Sequence, residues 1–181
     1  GFYPFIHYEI KMVKFSKEKG KKPPKIRDIC YASHIDRCIY QYYNYILNAK
    51  YNERIRNDGI ASVPVAYRTD LHQNNIHFAK RAFDFIRESK SCYIMIGDFT
   101  GFFDNLDHGY LKKQWCSLIG KECLPKDHYA VFKNITRYSK WELTDLLKLN
   151  GLSDTAASRK ELNNKSLVIS HEQFKANRDM I

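Results

Sequence analysis

The chain has 181 residues, of which 44% are hydrophobic and 28% are charged, and this composition excludes wholesale disorder. Its formal net charge of +10, together with 13 Tyr and 11 Phe, favours a polyanionic partner such as nucleic acid. No apolar run approaches the roughly 18 residues that a membrane span needs, and no signal peptide is visible. We therefore expect no membrane partner.

The cysteines and histidines argue against a structural zinc site. The five cysteines form no C-x-x-C pair, and the seven histidines make no zinc-binding pattern. An odd cysteine count without framework spacing predicts reduced thiols and a cytoplasmic setting. Cys38, Cys92 and Cys116 lie among apolar residues, so we predict that they are small core side chains.

The first thirty residues predict a β-hairpin with a basic connection. Apolar and polar residues alternate through Tyr8, Ile10 and Met12 and again through 25–30, on either side of a charged loop with glycine and proline. Eight basic residues occupy this region: Lys11, Lys14, Lys17, Lys19, Lys21, Lys22, Lys25 and Arg27. They are candidate nucleic-acid contacts, although residues 17–22 are equally typical of a solvated loop.

Two helices and a short extended piece follow the hairpin. Ser33 suits the N-cap of a helix whose apolar face includes Ile35 and Ile39, and a polar loop is predicted over 51–62. An extended piece is predicted over 62–68. A second helix opens at Asn74-Asn75, and the helical spacing of its apolar residues Ile76, Ala79, Phe83 and Ile86 predicts that they join the core.

The stretch from Ser91 to His108 is the strongest candidate for chemistry. The apolar run Tyr93–Ile96 predicts a buried strand, and Asp98 follows where that strand would leave the core. A carboxylate on such a rigid support is a suitable metal ligand. Asp also commonly caps a turn, and both interpretations of Asp98 remain open on these residues alone.

Helices are predicted through most of the remaining chain. Asp107 is a candidate N-cap for a helix ended by Gly120, and Trp141–Leu149 is predicted to be a short amphipathic helix ended by Asn150-Gly151. A further helix is predicted from Ser170.

Three blocks of the sequence stand out in order along the chain. The first block is Lys25-Ile26-Arg27-Asp28-Ile29 followed by Ile35-Asp36-Arg37-Cys38-Ile39-Tyr40. The second is Ser62-Val63-Pro64-Val65-Ala66-Tyr67-Arg68. The third is Ile96-Gly97-Asp98-Phe99-Thr100-Gly101-Phe102-Phe103-Asp104-Asn105-Leu106-Asp107-His108. In this order the blocks, which cover about residues 10–115, resemble the fingers and first part of the palm of bacterial reverse transcriptases, closest to the retron-like and abortive-infection (phage-defence) groups.

The resemblance implies specific roles for matching residues. Asp98 matches the metal-binding aspartate, and Phe99 the position that offers a backbone carbonyl to the metal. Phe103 matches the aromatic gate that excludes a 2′-hydroxyl, which would favour deoxynucleotides, while Phe102 is expected in the core. Lys25, Arg27 and Arg68 match basic fingers positions that grip the incoming nucleotide and template.

The resemblance also implies an α+β fold, with a fingers β-hairpin and packed helices over 1–90 and an incomplete polymerase palm over 91–181. The family's Asp-Asp block occurs nowhere in this sequence. We therefore expect a piece of a longer RNA-directed DNA polymerase, inactive by itself, that lacks the C-terminal half of the palm and the thumb. The implied partners are an RNA template, a DNA primer or product and a dNTP, with Mg²⁺ as cofactor in the full-length enzyme only.

Two other functions remain open on the sequence. One is a nucleic-acid-binding scaffold that uses the basic hairpin and never polymerises. The other is a template-independent or protein-primed DNA polymerase of a phage-defence system. Asp104, Asp107 and His108 fit helix entry and packing better than catalysis.

Overall fold

In a computed structural model, the structure describes residues 1–13, 15–16, 20–21 and 23–180, with the side chains at 15, 16, 20 and 21 excepted. The strands are β1 (Phe5–Met12), β2 (Phe15–Ser16), β3 (Gly20–Lys21), β4 (Lys25–Tyr31) and β5 (Lys140–Glu142). The α-helices are α1 (His34–Asn57), α2 (Asn75–Glu88), α3 (His108–Ile119), α4 (Lys126–Thr136), α5 (Leu143–Leu149), α6 (Ala156–Asn164) and α7 (His171–Ala176). The mixed content confirms the predicted α+β class. Over these residues no helix has the length and apolarity to cross a membrane.

The chain forms two compact units. One comprises Gly1–Gln41 with Ala130–Ile181, and the other comprises Tyr42–Tyr129. The boundary predicted between residues 90 and 91 lies inside the second unit, and it stays a prediction about the division of fingers from palm.

A three-stranded sheet with the order β4-β1-β5 organises the first unit. β1 pairs with β4 in antiparallel fashion from Ile6↔Tyr31 to Met12↔Lys25, which confirms the predicted hairpin. β1 also pairs with β5 in parallel fashion, with Ile6 opposite Trp141. The helix predicted to begin at Trp141 is therefore wrong in its first two residues, because they pair with β1 and the helix begins at Leu143.

The core of the first unit lies against one face of this sheet. Its buried members are Trp141, Leu143, Leu146, Leu147 and Leu162, contributed by β5, α5 and α6. Ile6 and Tyr8 alternate along β1 and pack against this cluster from the sheet. Burial of each such leucine contributes about 2 kcal/mol relative to exposure, so this cluster holds β1 in place.

The other face of β1 carries a buried histidine between two carboxylates. The Nδ1 atom of His7 lies 2.8 Å from Glu142 Oε1 on β5, and its Nε2 atom lies 3.2 Å from Asp28 Oδ1 on β4. Only the protonated ring can donate from both nitrogens. The hydrogen bond to Glu142 raises the pKa of His7 above its ordinary value, with support from Asp28, whereas burial and the nearby Lys140 act in the opposite direction.

This arrangement predicts that the stability of the folded chain depends on pH. A raised pKa in the folded state means that the stabilisation is fully present below the unfolded pKa of about 6.5 and is lost as pH rises through the folded value. We expect the melting temperature to fall as pH is raised through that window, and His7→Gln to flatten the dependence. The control is His171→Gln, which removes an exposed histidine of the same unit. An unchanged pH profile in His7→Gln would contradict the assignment.

The helices of the second unit leave more apolar surface exposed than the sequence predicts. In α2, Ile76 and Phe83 are 77% and 69% exposed, and no residue of this helix is buried. The prediction that they belong to the core is wrong, because no other described element covers that face. The same correction applies to Cys38 and Cys92, which are exposed, whereas Cys116 is buried as predicted.

The sequence predicts the ends of these helices better than it predicts which of their residues are buried. Asn74 caps α2 by accepting from the backbone N–H of Ile76 and His77. Asp107 caps α3 by accepting from the backbone N–H of Tyr110, and Gly120 ends that helix in the left-handed conformation. The predicted loop over 51–62 begins too early, since α1 continues to Asn57.

Candidate functional site

Asp98 lies in a segment that pairs with no strand in the described part of the chain. Residues 92–99 are assigned to no helix or strand, and their backbone makes no backbone–backbone hydrogen bond with any described residue. Tyr93 and Met95 are almost completely exposed, and Ile96 is 92% exposed. The prediction that Tyr93–Ile96 is a buried strand is therefore wrong for this chain, because a strand needs a partner to pair its backbone and a layer to cover its side chains.

The turn after Asp98 is shaped by Gly101 and Asn105. Gly101 has a φ of 60°, a conformation that favours glycine, and its carbonyl accepts from the backbone N–H and the side-chain amide of Asn105. A Cβ at Gly101 would lie 3.0 Å from that amide nitrogen. The turn therefore requires glycine at this position and fixes where the flanking aromatic residues lie.

Both rings of the aromatic pair are exposed. The ring of Phe103 is in edge contact with that of Phe102, and Phe102 also contacts Phe99. Phe103 is 76% exposed, and Phe102 is 50% exposed. The expectation that Phe102 joins the core is wrong for this chain, since both rings extend from an exposed turn.

The oxygen donors around Asp98 do not make a magnesium site. Within the described part of the chain, no three His, Cys, Asp or Glu side chains are grouped closely enough to hold a metal ion. Mg²⁺ requires six ligands in a near-octahedral arrangement, often with waters and phosphates among them. One carboxylate and the carbonyl of Phe99 do not meet that requirement.

Arg68 is a buried anchor of its loop. Its Nε and Nη2 atoms donate to the two carboxylate oxygens of Asp70 at 2.8 and 2.7 Å, and its Nη1 atom donates to the carbonyls of Ala61 and Pro64. The side chain is 3% exposed. These four hydrogen bonds leave one N–H on Nη2 for any further contact, and the burial of the side chain restricts access to it. The segment is also a series of turns rather than the predicted extended piece.

The loop that contains Arg68 has two residues in the left-handed region. Tyr67 has a φ of 57° and His72 a φ of 49°, which is uncommon outside glycine. The side chain of Asn48 donates to the carbonyl of Tyr67 and stabilises that conformation. A cavity of about 570 Å³ lies along this loop and the start of α2. Strain of this kind occurs at functional sites more often than elsewhere.

The hairpin separates the predicted basic residues by face. Cross-strand partners share a face of the sheet, and Lys25 is opposite Met12 while Arg27 is opposite Ile10. Lys25 and Arg27 therefore lie on the same face. Lys11 is opposite Ile26 and lies on the other face. Lys25, Arg27 and Lys11 are all exposed.

The remaining predicted basic residues lie outside what the structure describes. Lys14, Lys17, Lys19 and Lys22 are not among the described residues, and for Lys21 only the backbone is described, within β3. Lys25 and Arg27 belong to the first unit, whereas Arg68, Asp98 and Phe103 belong to the second.

The chain matches no protein-family model and no curated protein. The assignment of roles to Asp98, Phe103 and the basic residues therefore depends on the three motif blocks and on the placement of these side chains.

Two ionic arrangements were not predicted from the sequence. The Arg68–Asp70 pair has a spacing of two residues, which was visible as Arg-x-Asp but is common by chance. The His7–Glu142 contact joins residues 135 apart, and no local pattern marks it.

Proposed function

We propose that the chain is the fingers and first part of the palm of an RNA-directed DNA polymerase of the bacterial reverse transcriptase type. The observation that carries this proposal is the Asp98–Phe103 stretch. An exposed carboxylate is followed, across a glycine-dependent turn, by an exposed phenylalanine at the spacing of the family's first catalytic motif.

In this proposal each residue has a limited role. Asp98 would supply one carboxylate to a Mg²⁺ centre of the longer protein. Phe103 limits the space below the sugar, and Lys25 and Arg27 attract the triphosphate or template. The other carboxylates come from polypeptide outside this chain, so the chain alone is inactive.

The exposed apolar surface of the second unit supports the need for further polypeptide. The backbone of segment 92–96 pairs with no other described residue, and α2 presents uncovered Ile76, Phe83 and Phe85. A groove of about 790 Å³ runs between α2 and this segment. Apolar surface of this kind commonly marks an interaction site. We assign it to the C-terminal half of the palm.

Primer extension by the longer protein tests the proposal. We expect an RNA template with an annealed DNA primer to be copied with deoxynucleotides in preference to ribonucleotides, because Phe103 excludes the 2′-hydroxyl. The matched variants are Phe103→Ala and Phe102→Ala. Ribonucleotide incorporation should rise in the first only. Absence of template-dependent synthesis under any of these conditions would refute the proposal.

A nucleic-acid-binding scaffold is the second candidate, and the exposed Lys25 and Arg27 favour it. It predicts binding without synthesis. The residues that follow Ile181 in the longer protein would discriminate between the candidates, since a polymerase requires an Asp-Asp turn there and a scaffold does not. Synthesis without any template would instead favour the template-independent or protein-primed polymerase.

A further inference from the structure

The pleat of the β1–β4 hairpin sorts its charges onto opposite faces. Residues at even positions of β1 share a face with residues at odd positions of β4, as the pairing of Ile10 with Arg27 requires. We call the outer part of this surface the basic face; its members are Ile10, Met12, Lys25 and Arg27. Within the described strands β1 and β4, no acidic residue lies on this side of the sheet.

The opposite side of the hairpin is acidic as well as basic. It carries Glu9 and Asp28 beside Lys11, and the Asp28 side chain is 76% exposed while also accepting from His7. A phosphate that approached Lys11 would meet these two carboxylates. The two sides therefore differ in net charge although both contain lysine.

The basic face is also open to a ligand, whereas the rest of that side of the hairpin is covered. There Tyr8 packs against the core, in edge contact with Tyr31 and with the guanidinium of Arg159 over its ring at 5.5 Å. Farther along β1, Ile10 and Met12 are 39% and 36% exposed. Lys25 and Arg27 are adjacent to these two apolar side chains across the strand pair.

We propose that the basic face binds single-stranded nucleic acid, with Lys25 and Arg27 on the phosphates and the bases against Ile10 and Met12, and that the side with Lys11 does not. This inference rests on the proposed function and deepens it by naming the surface that holds the strand. Charge complementarity identifies the occupant as a polyanion. The apolar side chains that lie opposite the cations on β1 favour a strand with accessible bases over a chain that carries charge alone.

Lys25 and Lys11 provide a matched pair of substitutions. Lys25→Ala and Lys11→Ala remove the same charge from exposed positions at nearly the same distance along one hairpin. Both variants should therefore reduce the long-range electrostatic attraction of a polyanion equally. The measurement is fluorescence anisotropy of labelled single-stranded RNA and DNA dodecamers with the chain of 181 residues, at several salt concentrations. Circular dichroism checks that each variant is folded.

We expect Lys25→Ala and Arg27→Ala each to weaken binding several-fold and to reduce the slope of log affinity against log salt by about 0.7, the value for one phosphate contact on a single strand. Lys11→Ala should leave both quantities near those of the unchanged chain. Equal losses in Lys11→Ala and Lys25→Ala would overturn the assignment of the face while leaving the hairpin a nucleic-acid binder. Equal competition by polyglutamate would overturn nucleic acid as the occupant. Normal primer extension by the longer protein without any binding by this chain would overturn this inference and leave the proposed function in place.

Discussion

Asp98→Asn is expected to reduce primer extension by the longer protein on the order of a thousandfold or more, the scale of loss seen when an essential catalytic carboxylate is removed. Asparagine keeps the shape of the side chain and removes its charge. The Asp98 side chain is exposed, and it makes no hydrogen bond or ion pair with any described residue. The substitution should therefore leave the melting temperature unchanged, so a loss of synthesis would report on chemistry and not on folding.

Asp104→Asn is the matched control for this experiment. It makes the same chemical change six residues later, in the turn that follows Asp98, at a position assigned to helix entry. We expect nearly normal synthesis from it. Full activity in Asp98→Asn, or equal losses in both variants, would refute the catalytic role of Asp98.

Arg68→Ala is expected to lower the melting temperature by several degrees. The substitution leaves the Asp70 carboxylate and the carbonyls of Ala61 and Pro64 without their donors, in a loop that already holds Tyr67 in a left-handed conformation. Arg68→Lys should recover only part of the loss, because an ammonium group cannot reproduce the bidentate contact with Asp70. Thermal unfolding followed by circular dichroism measures both variants.

The control for Arg68 is Arg81→Ala, which removes an exposed arginine of the same unit. A stable Arg68→Ala chain would show that the buried ion pair does not hold the loop. If the longer protein carrying that variant then lost affinity for deoxynucleotides, Arg68 would be a nucleotide ligand, as the motif implies, and not a structural anchor.

The parts of the fold that the sequence predicts are those with local causes. The hairpin follows from alternation on both sides of a glycine- and proline-containing loop, and the capping of α2 and α3 follows from Asn74 and Asp107. β5 could not be predicted in this way. Its three residues pair with Phe5–His7 far away in the chain, and Trp141 alone is equally compatible with the first turn of an amphipathic helix.

The candidate site shows the same distinction. Asp98 and Phe103 can be selected from their spacing. The sequence does not show that Tyr93–Ile96 lacks a partner strand among the described residues, because an apolar run indicates only that burial is favourable. Nor does it show which lysines share a face. That information depends on the pairing of β1 with β4, where a shift of one residue would reverse every assignment.

The pairing of β1 with both β4 and β5 has a consequence for synthesis of the protein on the ribosome. β4 leaves the ribosome soon after β1, but Glu142, which bonds to His7, is made 135 residues later. At typical elongation rates this delay is on the order of ten seconds. During that time the second edge of β1 is open to other chains. The charged residues of the nascent hairpin, or a chaperone, must therefore keep other chains from pairing with this edge of β1 until β5 has been made.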